Sequence, residues 1–136
     1  MSFESEIRTL ESKFDQQWSE TPVKYPNISL DVSSLSEWVS MIILNDEGRI
    51  AQIGSSSNLY RYYGFIVNQV FVRPNTGSRR AFDLADLIAT LWRINTISNI
   101  TILQPVLDTI GVRDGWFQIN ISHEYRRNEY KTPSNL

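Results

Sequence analysis

RYYGFIVNQVFVRP, from Arg61 to Pro74, carries the reading of the whole chain. In an extended backbone Tyr63, Phe65, Val67 and Phe71 fall on one side. Tyr62, Ile66, Val70 and Val72 fall on the other. A strand that is apolar on both sides belongs at the centre of a sheet and is covered twice. A long strand is therefore expected over about 60–73, ended by Pro74. Helices would supply one cover, and another subunit is expected to supply the second.

Working outward, PNTGSRR (74–80) reads as a turn-rich loop in which Ser78 caps a helix over about 79–95. Ala81, Leu84, Ala85, Ile88, Leu91 and Trp92 make its buried stripe. ITILQP (100–105) reads as a strand ended by Pro105, and LDTIGVRDG (107–115) as a loop or turn. WFQINISHEYRR (116–127) alternates cleanly as a strand, and the polar stretch from Asn128 to Leu136 is expected to be a flexible tail. On the N-terminal side, Phe3, Ile7, Leu10, Phe14 and Trp18 mark an amphipathic helix over roughly 3–19, with Ser2 as its cap. Glu4 and Glu6 suit the positive end of its dipole. Residues 20–36 read as an irregular connection. EWVSMIILN (37–45), a turn at NDEG (45–48) and RIAQIG (49–54) read as a hairpin, followed by a loop at 55–58. The expected fold is α+β: an antiparallel sheet of about four to five strands with two helices on one face.

A chain of 136 residues is long enough for a single domain spanning 1–136 with one core. Its hydrophobic content of 41% and charged content of 21% place it with soluble globular proteins. No apolar run approaches the roughly 20 residues of a membrane helix, and no signal-peptide block opens the chain. Synthesis in the cytoplasm is expected. The absence of cysteine removes disulfides, thiol catalysis and thiolate metal sites. Residues 1–60 carry a net charge of −5 and residues 61–136 a net +3, an asymmetry that suits a subunit presenting opposite charges to different neighbours. Ten arginines against three lysines favour protein interfaces, where the planar guanidinium pairs and stacks.

Specific chemistry finds little support. Arg61, Tyr63, Gly64 and Phe65 match part of an RNA-recognition strand, but that fold needs a second aromatic strand before its first helix, and here the first helix opens the chain. NTGSRR lacks the lysine and first glycine of a phosphate loop. His123, the only histidine, has no partner set for a metal site and no nucleophile motif, and a structural or interface role is expected for it. Asp83 and Asp86 share a helical face and are explained by the helix dipole. No catalytic residue, metal or cofactor is expected.

The chain resembles the tail terminator proteins of long-tailed bacteriophages. The likeness rests on the N-terminal amphipathic helix leading to TPVKYPN (21–27), the strand WVSMIIL, the strand–loop–helix run GFIVNQVFVRPNTGSRRAFDLADLIATLW (64–92) and the aromatic-led strand GWFQINISHEYR (115–126). It spans nearly the whole chain, except LDTIGVRDG. The resemblance implies a structural virion protein without catalysis. Such proteins form a homohexameric ring on the head-proximal end of a finished tail tube. The ring stops tube polymerisation and presents a docking surface to the neck or connector protein. Its partners would be itself, the tail tube protein and the connector, with no membrane and no specific nucleic-acid recognition. Its location would be the virion tail, after assembly in the host cytoplasm. Alternatives are a head–tail joining (neck) protein, a tail tube subunit or a small nucleic-acid-binding module. Arg79 and Arg80, in the loop after the long strand, and Tyr60, Arg61 and Tyr62, at its start, are the expected subunit or tube contacts, since arginine and aromatics are enriched in interface hot spots.

Overall fold

A computed structural model describes residues 1–46, 48–53 and 57–131, without the side chains of 49–52 and 131. The element order is α1 (Phe3–Gln17), β1 (Val23–Lys24), β2 (Glu37–Asn45), β3 (Arg49–Ile53), β4 (Asn58–Val72), α2 (Arg79–Trp92), β5 (Thr96–Ile97), β6 (Ile100–Arg113) and β7 (Trp116–Lys131). The strands form one sheet in the order β1-β2-β4-β7-β6-β5, with β3 pairing β4 off that path. The sheet is mixed, because β1 runs parallel to β2, and it curls into a half-barrel. The expected four-to-five-stranded antiparallel sheet is thereby overturned. Three differences account for the change, and each has a local cause.

First, the connection 20–36 is not wholly irregular. Val23 and Lys24 lie beside Val39 and Ser40, and the Val39 N–H donates to the Pro22 carbonyl. Second, residues 37–54 do not form a hairpin. Both β2 and β3 run antiparallel to β4, β2 along Gly64–Val72 and β3 along Asn58–Arg61. β2 and β3 therefore run in the same direction, and the Asp46 N–H donates to the Tyr63 carbonyl. Gly48 is there for close approach rather than reversal: a Cβ would stand 2.7 Å from the Tyr62 ring. Glu47 of the expected turn, Gly54 of the expected strand and residues 55–56 of the expected loop lie outside the described residues.

Third, the sequence LDTIGVRDG is mostly strand. β6 does not stop at Pro105 but continues to Arg113, with register shifts between Ile102 and Pro105 and between Thr109 and Gly111. Pro105 and Gly111 look like strand breakers, yet each sits at a bulge, where a ladder tolerates them. The reversal into β7 takes only Asp114 and Gly115, both at positive φ (53° and 80°), between the paired Arg113 and Trp116. Asp-Gly between apolar runs is the signature of this tight turn. Residues 128–131, expected in the flexible tail, continue β7 and pair with β4 as far as Asn58; 132–136 lie outside the described residues.

β4 is central, flanked by β2 and β7. Ile66 and Val70 on β4, Val39 and Met41 on β2, and Ile119, Ile121 and Tyr125 on β7 form the core with Leu10 and Phe14 of α1 and Leu84, Ile88 and Trp92 of α2. Ser2 and Ser5 form a reciprocal capping box at the start of α1. Ser78 precedes α2 without a side-chain cap bond. A polar thread crosses the core, in which Trp92 Nε1 donates to Asn68 Oδ1 at 3.0 Å and Asn68 Nδ2 donates to the Ser40 carbonyl.

Candidate assembly surface along the edge strand

The opposite face of β4 carries Phe65, Val67 and Phe71, as its alternation requires. One end of this face is closed from within the chain. Trp38 stacks on Phe71 at 4.0 Å, Trp116 meets Trp38 edge-on, and the Arg73 guanidinium lies 4.0 Å over Trp116 while donating to the carbonyls of Ser33 and Leu35. Towards Phe65 and Leu44 the face stays open.

That open face continues onto β6. Beyond Ile102 the outer edge of β6 has no strand partner among the described residues, because β5 pairs only with Ile100 and Thr101. From Leu103 to Arg113 every residue except Gly111 is exposed. Five are large aliphatics: Leu103, Val106, Leu107, Ile110 and Val112, with Val106 and Val112 each 67% exposed. A groove beside them runs between Phe65, Val106, Asp108, Ser122 and Glu124. A long apolar edge is a pairing template unless it is blunted. Here two bulges and Pro105 break it into short pieces, so an arbitrary strand cannot run along it in register. The sequence signal for this surface, a run of aliphatics ending in Asp-Gly, was obscured because the bulges at the proline and glycine break its alternation.

The expected contact residues lie at opposite ends of β4 and are not brought together. Arg80 is exposed but makes a two-pronged pair with Glu37, its Nη2 2.8 Å from Oε1, so the bond holds its pKa above the ordinary value. Arg79 beside it is exposed. Arg61 Nε donates to Asn128 Oδ1 across the β4–β7 ladder, and Tyr60 Oη accepts from Asn58. Tyr62 faces inward and stacks under the Arg127 guanidinium at 4.2 Å, with Phe3 edge-on to it.

Arg127 belongs to a buried site that amphipathic patterning misses. Glu6 is fully buried, and both it and Arg127 are 1% or less exposed. Arg127 Nε donates to Glu6 Oε1, and Tyr125 Oη and Asn45 Nδ2 donate to Glu6 Oε2 at 2.8 and 2.9 Å. Arg127 Nη1 also reaches the Met1 carbonyl and Glu129. Burial, then the bond to Glu6, pushes the Tyr125 hydroxyl well above the usual phenol range. Every polar atom of Glu6 is answered, which is what makes a buried carboxylate tolerable; the network clamps α1 to β7 rather than offering chemistry to a substrate. His123 is buried on the same face of β7, and burial pushes its pKa down to about 4.

Among the described residues no group of three or more acidic or histidine side chains is placed to hold a metal, and no helix is long and apolar enough to cross a membrane. No family model and no curated protein matches the chain. A solved structure whose name states no activity matches it with a TM-score of 0.64, covering 92% of this chain and 97% of that one at 16% identity. A likeness at that identity speaks for the fold alone.

Proposed function

We propose that this chain is a ring-forming structural subunit, the β6 edge of one copy seated against the β1–β3 side of the next. The observation that carries the reading is β6: beyond Ile102 its edge is exposed, aliphatic and, among the described residues, without a strand partner. The other end of the sheet, β1 to β3, is a different surface from the β6 edge. Two different patches make a heterologous contact, which closes into a ring when the rotation per subunit divides a full turn. The bulges and Pro105 favour such a defined partner over open-ended pairing. The sequence resemblance supplies the setting, a hexamer that caps a phage tail tube and receives the connector. In that setting exposed Arg79 is a contact for the tube or a neighbour, while Arg80, Arg61 and Tyr62 mainly hold the subunit's own shape.

Light scattering across a concentration series tests this. A discrete hexamer is expected for the wild type, and Val106→Glu together with Val112→Glu should give a folded monomer. A mass that grows without limit would replace the cap with a tube subunit. A monomer at every concentration that also fails to bind isolated tail tubes would overturn the proposal.

A further inference from the structure

We propose that the cavity between the end of α2 and the first bulge of β6 binds a small carboxylate with an apolar body. The cavity, about 290 Å³, is lined by Trp92, Arg93, Asn95, Gln104, Pro105 and His123, among others. It exists because two chain segments leave regular structure at the same place. Asn95, at φ 75°, turns the chain away from α2, and the register shift between Ile102 and Pro105 bows β6 outward.

His123 is the reason to expect an occupant. It is 1% exposed, lies opposite Ile66 and Pro105 in the ladders, and sits 6.5 Å from the Trp92 ring. Neither Nδ1 nor Nε2 has a hydrogen-bond partner among the described residues. A buried polar atom left unpaired costs about 1–3 kcal/mol, so a fold that keeps an unpartnered imidazole beside a cavity is arranged for something that accepts from its ring N–H.

The lining identifies the chemistry. It contains one cation, Arg93, and no acid, and the amides of Asn95 and Gln104 and a ring N–H of His123 add donors. A lining that holds a guanidinium and further donors suits an anion with two oxygens in a plane, the geometry of a carboxylate. A dianion such as phosphate suits the place less well, because α2 ends here and its carbonyl end is negative. Trp92 has committed its N–H to Asn68, so it offers the cavity only its ring. With Ile102, Leu103 and Pro105 it forms an apolar wall, which calls for an apolar body on the ligand. A free small acid and an Asp or Glu side chain from a second copy share this chemistry. The site does not depend on the ring reading.

The single histidine gives one set of imidazole ¹⁵N resonances, so a titration with benzoate reports on this cavity directly. Benzyl alcohol is the uncharged control, buffers contain no carboxylate, and light scattering runs in parallel. The titration is done on the wild type and on Val106→Glu. Saturable shifts with benzoate but not with benzyl alcohol are expected, weakened at least about tenfold by Arg93→Gln and unchanged by Arg79→Gln. Benzoate that binds without changing the mass identifies a free acid as the natural occupant. Benzoate that lowers the mass of an assembly identifies a neighbour's carboxylate. No shift in either protein, equal shifts with benzyl alcohol, or unaltered binding in Arg93→Gln overturns the proposal. A monomer that binds benzoate but no isolated tail tubes leaves this site standing and sinks the ring alone.

Discussion

Lowering the pH from 8 to 5 should destabilise this protein through His123, by an amount that follows from its burial. The ring has an ordinary pKa of 6.5 and is held at about 4 in the folded chain because burial disfavours its charged form. Above pH 6.5 it is neutral in both states and contributes no pH dependence. Below that value the unfolded chain takes up a proton that the folded chain refuses, so stability falls as the pH falls, until the folded ring also protonates near pH 4. At about 1.4 kcal/mol per unit, the full loss is about 3 kcal/mol, of which about 2 kcal/mol is reached at pH 5. With a urea slope of about 1–3 kcal/mol per molar for a domain of this size, the midpoint should drop by roughly 1–2 M. Urea titrations at half-unit pH steps, on the wild type and on His123→Phe, isolate the contribution, because every other titrating group is common to both. The reasoning is refuted if the two profiles stay parallel between pH 7 and 4.5.

Three further outcomes follow from packing. Arg127→Met strands the Glu6 carboxylate in the interior and should cost about 3–5 kcal/mol in chemical denaturation, whereas replacing both Glu6 and Arg127 by Met should restore much of it. Gly64→Ala places a Cβ 2.5 Å from the Tyr125 hydroxyl, on backbone already paired on both sides, and a loss of about 1–3 kcal/mol in thermal melting is expected. Arg80→Ala breaks only a half-exposed pair with Glu37, so it should cost no more than about 1 kcal/mol and leave the mass in solution unchanged; a change of mass would return Arg80 to the interface.

The central strand and both helices were legible because their apolar spacing follows backbone geometry that needs no distant partner. The β4 alternation, the α2 stripe and the Leu10–Phe14–Trp18 part of the α1 stripe are of this kind, whereas Phe3 of that stripe is exposed. Pairing was less legible. β2 and β3 each read as a strand, but nothing within 37–54 reveals that both lie along β4, since that depends on β4 being long enough to host them end to end. β6 was missed where a proline and a glycine sit at bulges, positions defined only by the partner strand. Glu6 was read by its place near a helix start, which explains an exposed acid equally well. Its burial depends on Arg127, at the other end of the chain. The β6 surface was likewise out of reach, since exposure is a property of the assembled sheet.

The separation of Glu6 from Arg127, 121 positions, bears on how the molecule is made. At roughly 5–20 residues per second, Glu6 is synthesised about 6–24 s before its guanidinium partner. During that time Leu10 and Phe14 have no sheet to cover, and a lone carboxylate on the same helix keeps its water. Glu6 in this interval acts as a solubilising group on a nascent helix, and only the last strand turns it into a clasp. Docking of the first helix is therefore a late event, timed by the arrival of the chain's other end.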